Sequence, residues 1–273
     1  MSRFESPVST EPAHPLRRPE PGGFGQNRQV SLPAAVLFDL DGTLLDSEPL
    51  WFEAETLLVG EYGRPWSDEQ ARHLVGWSLW DSATYLRAQI GVDLPQPVII
   101  ERLQSQVVAG VVQAPPWRPG ALDLLAEVCA AGVPTGLVTM SYRQMTDAVI
   151  AALPDGAFTT VVSGEQVSRG KPHPDPYLLA AQRLGVDAGG CVAIEDSMTG
   201  ATSARAAGCA VLVVPAAVPV NPLPGVTFRR SLAGMTLTGL SEVLSLHQDA
   251  LRQSQLAQSG SPAGSSTGAA ATG

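Results

Sequence analysis

The sequence predicts an α/β chain: a parallel sheet with helices on both faces, interrupted after its first strand by an all-helical insertion. Three observations predict it. Apolar runs alternate with helical segments over residues 116–251, the pattern of a parallel sheet covered on both sides. Three apolar runs stop abruptly at polar residues: Val36-Leu37-Phe38 before Asp39, Gly136-Leu137-Val138 before Thr139, and Cys191-Val192-Ala193-Ile194 before Glu195. Residues 48–115 break the alternation and read as several helices with no clear strand.

The first strand is expected over Val36 to Leu40, and it delivers Asp39 and Asp41 to its carboxyl end. Gly42 and Thr43 then turn the chain. Two carboxylates this close repel each other and raise the cost of ionisation. A divalent cation relieves that, and hard oxygen ligands suit Mg²⁺. The pair also sets a nucleophile beside a proton donor. A calcium loop of the EF-hand type is excluded, because Thr43, Leu44 and Leu45 stand where alternate oxygen ligands are needed.

The insertion follows. Ser67-Asp68-Glu69-Gln70 has the spacing of a capping box. Four of the five tryptophans lie here, Trp51, Trp66, Trp77 and Trp80, most of them expected as packing for a small helical bundle and one or two as facing the core domain. Gly76-Trp77-Ser78 is the expected substrate-contacting loop of the insertion. The segment Pro115-Pro116-Trp117-Arg118-Pro119-Gly120 marks the return, so that Thr43 to Ser47 and this proline cluster form two hinges.

Helices are then expected over Ala121 to Ala131 (closed by Gly132), Tyr142 to Leu153, Pro174 to Leu184, Thr199 to Ala207 and Leu240 to His247. The third of these has proline at its start and Gly185 at its end. Strands are expected over Pro134 to Val138, Thr160 to Val162, Cys191 to Ile194 and Ala210 to Val214. In an open parallel sheet the ligand site lies outside the carboxyl ends of the strands. Asp39, Asp41, Thr139, Ser141, Glu195 and Asp196 are therefore expected to converge, joined by Lys171 in a proline-stiffened loop. Residues 1–30, rich in Pro, Gly, Ser and Arg, read as a disordered arm, and residues 252–273 as a disordered tail. The core domain is thus 31–47 with 116–251, and the helical cap is 48–115.

Composition sets the outer limits. Hydrophobic residues make up 44% of the 273, enough for a sizeable core, whereas charged residues are only 16%. The net charge of −9 argues against nucleic-acid binding, which wants a basic face. Cys129, Cys191 and Cys209 are odd in number and widely spaced, so neither a zinc site nor a disulfide framework is expected. No stretch reaches the length of a membrane span and the first thirty residues lack a continuous apolar segment, so a cytoplasmic location is expected. Nothing points to an extended interaction face, and a monomer is expected. Lys171 is the only lysine, against 16 arginines. A compact ammonium fits beside a phosphate and a carboxylate where a planar guanidinium does not.

Taken together, Asp39-Leu40-Asp41-Gly42-Thr43, Thr139 after its strand, Lys171 in Gly-Lys-Pro, and Glu195-Asp196 resemble the four motifs of the haloacid dehalogenase superfamily, in order. The resemblance covers roughly residues 32 to 250 and is nearest the subfamily of beta-phosphoglucomutase and small sugar phosphatases. It implies a Rossmannoid core with an α-helical cap, and a Mg²⁺-dependent hydrolase of phosphoric monoesters acting on a small phosphorylated metabolite. Asp39 is then the nucleophile that forms an aspartyl-phosphate, and Asp41 the general acid and base. Thr139, Lys171 and Ser141 bind the phosphoryl group, with Arg143 a weaker candidate. Asp39, Asp41 through its carbonyl, and Asp196 hold the metal, with Glu195 a further or water-mediated ligand. His173 is read as loop structure. Dehalogenation is disfavoured, because those relatives lack the second aspartate. Phosphonate cleavage is disfavoured by a cap without lysine. A phosphomutase remains as the alternative, although Trp51 stands where mutases carry a histidine, and so does a phosphate-binding protein without turnover.

Overall fold

The computed structural model describes residues 31–75, 77–216 and 218–259. The segments 1–30 and 260–273, and with them the expected arm and the end of the expected tail, lie outside the described residues. Six parallel strands form one sheet in the order β3-β2-β1-β4-β5-β6. They are β1 (Ala35–Phe38), β2 (Thr135–Val138), β3 (Thr160–Val162), β4 (Cys191–Glu195), β5 (Ala210–Val213) and β6 (Val226–Phe228). The chain builds outward from β1 through β2 to β3, then returns to the other side of β1 as β4. That reversal makes a crevice at the carboxyl ends of the central strands. Phe38 lies level with Leu137 on one side and with Ile194 on the other.

Alternate residues of the central strands feed two separate cores. Val36, Phe38, Val192, Ile194 and Leu212 point to one face; Ala35, Leu37, Cys191, Ala193 and Val211 point to the other. The second face is covered by α7 (Asp175–Leu184) and α8 (Met198–Ala206), which contribute Tyr177, Ala180, Ala201 and Ala204. The first is covered by α5 (Ala121–Ala130), α6 (Arg143–Ala151) and α9 (Leu237–Ser259) through residues such as Leu124, Val149 and Leu240. Burial on both faces is why these strands are unbroken apolar runs and not alternating ones.

The insertion holds α1 (Glu48–Glu61), α2 (Asp68–Leu74), α3 (Leu79–Tyr85), a π-helical turn over Leu86–Ile90, and α4 (Gln96–Gln113). The capping box at α2 forms in both directions: Ser67 accepts from the Gln70 amide at 3.3 Å and its own amide donates to Gln70 Oε1 at 2.9 Å. The apolar core of the first sheet face continues without a break into this cap through Leu58, Leu86, Ile99 and Leu103, and α4 packs against α6. The two connections between cap and sheet run side by side. Asp46 N–H donates to Pro116 O and Arg118 N–H to Leu44 O, both at 2.8 Å, and Leu45 pairs antiparallel with Trp117.

Two elements differ from expectation. β6 is a three-residue edge strand in a proline-rich stretch whose residues are only half-buried, so it carries no apolar signature. The last helix runs to Ser259, past the boundary expected at residue 251. Residues 252–256 are exposed, so this extension follows the helix propensity of Arg, Gln, Leu and Ala and not packing. Among the described residues no helix is long and apolar enough to cross a membrane.

Candidate active site

At the end of β1 the Asp39 amide still donates to Ile194 O at 3.0 Å, so the nucleophile candidate sits on the last rung of the ladder. The chain then folds under itself. Leu40 O accepts from the amides of Thr43, Leu44 and Leu45, and Gly42 takes φ +80°. A Cβ at Gly42 would lie 2.0 Å from Asp196 Oδ2, so only glycine lets the first and last of the four segments approach. Gly200 serves Glu195 in the same way: a Cβ there would fall 1.9 Å from its carboxylate.

Lys171 reaches the centre of the crevice from its loop and is almost fully buried. Its ammonium donates to Asp39 Oδ1 at 2.7 Å, to Glu195 Oε1 at 2.6 Å and to Val138 O at 2.9 Å. All three hydrogens are used. Burial works against the charge, but Asp39 and Glu195 outweigh it and raise the pKa of Lys171 above the ordinary lysine value. Glu195, wholly buried, accepts from Lys171 and the Tyr177 hydroxyl on one oxygen, and from the Asp196 amide and Ser197 hydroxyl on the other. The Tyr177 ring lies under the ammonium at 5.3 Å. Burial, and then the negative charges of Glu195 and Asp39, push the phenol of Tyr177 well above its usual pKa, which keeps it a donor.

Asp41 is held differently. Ser47 donates to its Oδ1 at 2.7 Å, and Ser141 to its Oδ2 at 2.5 Å. Thr139 approaches the same oxygen at 3.5 Å and accepts the Ser141 amide at 2.9 Å. Desolvation raises the pKa of Asp41, aided by the charge of Asp39, against the pull of Ser141 and Ser47. Two carboxylates two residues apart therefore meet different surroundings, one a cation and the other hydroxyls.

Carboxylate oxygens of Asp39, Glu195 and Asp196 lie within 4.8 Å of one another. Asp39 Oδ2 is buried with no hydrogen-bond partner. Burial, and then Asp39 and Glu195, push Asp196 up to about 8. An orphaned carboxylate oxygen and a strained set of acids fit a hard divalent cation. Both oxygens of Glu195 already accept hydrogen bonds, so Asp39 through Oδ2 and Asp196 are the residues best placed to hold one, and the Asp41 carboxylate faces the serines.

The remaining sequence candidates fall out as follows. Arg143 points away, exposed, toward Asp147 at 3.7 Å. His173 pairs with Asp175 at 2.9 Å and stays loop structure. Trp51 packs against the apolar core, while Trp77 stacks beside His73 and Tyr85 and lines an open cap groove of about 610 Å³ with Ser78 and Asp81. Gly76 lies outside the described residues. Ser47 and Tyr177 were not singled out from the sequence as site residues. The signal for Ser47 was its place just before the first cap helix. Tyr177 reads simply as an apolar position of α7.

A haloacid dehalogenase-like hydrolase domain matches residues 36–214. The chain belongs to that family. The hydrolase resembles Hexitol phosphatase B of Escherichia coli (strain K12), 33% identical over 220 residues that cover 77% of this chain and 93% of that protein. The Phosphorylated carbohydrates phosphatase of Thermotoga maritima is 29% identical over 175 residues, 64% of this chain and 81% of that one. Among solved structures, CbbY from Rhodobacter sphaeroides in complex with phosphate superposes with a TM-score of 0.68 at 30% identity, covering 77% of this chain and 99% of that one. A variant of the same protein was solved with xylulose-1,5-bisphosphate, again at a TM-score of 0.68.

Proposed function

We propose that this hydrolase of phosphoric monoesters acts on a small sugar or polyol phosphate, with Mg²⁺, through an aspartyl-phosphate on Asp39. The observation that carries the reading is the contrast between the two carboxylates of the first motif. Asp39 is tied to Lys171 on one oxygen and bare on the other. Asp41 is buried among hydroxyls that hold it in place while desolvation favours its protonated form.

Asp39, Asp196 and the backbone carbonyl of Asp41 would hold the cation, which when bound supplies positive charge to the phosphoryl oxygens. Asp39 attacks phosphorus in line, and the bond from phosphorus to the ester oxygen breaks. Asp41 gives its proton to the leaving alkoxide. It then takes a proton from water, which attacks the acyl phosphate, releases phosphate and regenerates Asp39. Lys171 offsets the charge of Asp39 as the phosphoryl group arrives, and one of its three donors exchanges to a phosphoryl oxygen. Thr139 and Ser141 line the same place. A cytoplasmic monomer is the form in which we expect the enzyme to work.

The test is phosphate release from a panel of small phosphomonoesters with Mg²⁺, beside Asp39→Asn. Mg²⁺-dependent release that disappears in the variant supports the reading. No release from any ester would sink it. Ligand binding that survives Asp41→Asn without any turnover in the parent would favour a binding protein.

A further inference from the structure

The first cap helix, α1, leaves the reaction centre at Ser47, whose hydroxyl holds Asp41. It carries two acids on one face, Glu48 and Glu55, two helical turns and roughly 10 Å apart. Glu48 feels the charges of Asp41 and Asp46, and Glu55 feels that of Glu48, so the row climbs from the proton donor into the cap. Glu55 is only 5% exposed, and its Oε2 is buried without a hydrogen-bond partner among the described residues. Its helix neighbours Ala54, Leu58 and Val59 are buried and apolar. An orphaned carboxyl oxygen in such a place is costly and structurally unexplained. Burial, then Glu48, push its pKa up to about 8, so near neutral pH it both donates and accepts.

Among the described residues no cap lysine or arginine balances Glu48 or Glu55. The cap has no lysine, and its arginines Arg64, Arg72, Arg87 and Arg102 are all exposed. Arg72 faces Asp68, Arg87 faces Gln96 and Arg102 faces Glu61. Along α1 a leaving group with its own negative charge would meet acids, whereas a hydroxyl matches a buried carboxyl.

We propose that Glu55 is a specificity-determining residue whose unpartnered oxygen hydrogen-bonds a hydroxyl of an uncharged leaving group, and that the acid row of α1 turns away substrates bearing a second anionic group. This rests on the phosphatase reading above and goes beyond it by naming the residue that reads the leaving group.

The test measures kcat/KM with Mg²⁺ for glycerol 1-phosphate, glucose 6-phosphate, sorbitol 6-phosphate, phenyl phosphate and xylulose 1,5-bisphosphate. Wild type should prefer the best of the three hydroxyl-bearing monophosphates over the bisphosphate. Glu55→Leu should lower the ratio of that monophosphate to phenyl phosphate, which has no hydroxyl to read, by about 10- to 100-fold. Glu55→Gln, which keeps a donor and an acceptor, should retain more of the ratio. An unchanged ratio, or an equal fall on both esters, would assign Glu55 to helix packing and overturn its role. A wild type that prefers the bisphosphate would overturn the exclusion by the acid row. Hydrolysis of none of the five would instead bring down the phosphatase reading itself.

Discussion

Lys171 has each ammonium hydrogen committed to a different acceptor, and two of those acceptors are buried carboxylates. Lys171→Met therefore leaves Asp39 and Glu195 facing each other unneutralised. It should lose roughly 3–5 kcal/mol in urea unfolding with the metal chelated, and lose turnover as well. Lys171→Arg should not restore turnover, because a planar fork does not fit a three-way tetrahedral site. Asp41→Asn keeps the shape and removes the proton, so kcat should fall by about 10²–10⁴-fold with little change in stability. The acids of the site and the solitary lysine were legible from the chain because each sits where an apolar run or a proline loop ends. Tyr177 and the anchoring role of Glu195 were not, because both depend on α7 and β4 being neighbours in space, which no local pattern reports. Glu195 keeps its place in the acidic cluster beside Asp39 and Asp196, and with four donors around it also seats Lys171.

Elements whose signal is local came out close to expectation. The strand Thr160–Val162 matches, and the expected helix bounds around Ala121, Asp175 and Met198 are within a residue of those observed. The capping box at Ser67 is the clearest case, since its hydrogen bonds join residues three apart. Ser67→Ala should cost about 1 kcal/mol in thermal or urea unfolding, a measure of α2 alone. What was illegible is what packing decides. β6 pairs at the edge, where Val226 and Phe228 are only half-buried against the second core; the overrun of α9 is a separate case, a propensity signal in a stretch read as tail.

At the scale of the whole molecule, one apolar core spans sheet and cap. Leu103→Ala, in the cap's longest helix, should therefore cost about 2–5 kcal/mol and lower a single cooperative transition. Separate melting of cap and sheet in calorimetry would contradict that. Stability should also depend on pH through the cap. Glu55 rises from an ordinary 4.5 to about 8 on folding, so the native state holds this proton more tightly than the unfolded chain. The stability it adds is full below pH 4.5 and is lost as pH rises toward 8, by on the order of 1–4 kcal/mol. Glu55→Gln should flatten that fall in melting temperatures taken from pH 5 to 9, and a profile as steep as wild type would contradict the assignment. The paired connections at Leu45 and Trp117 bear on how such an enzyme changes over generations. Because the chain enters and leaves the cap through neighbouring rungs, the 71 residues between Leu45 and Trp117 form a cassette, spliced in at one doorway. A different block can be exchanged there without shifting a strand of the sheet, provided that it brings its own apolar underside. With the leaving group read by α1 as proposed, chemistry and choice of substrate are stored in separable lengths of the same chain.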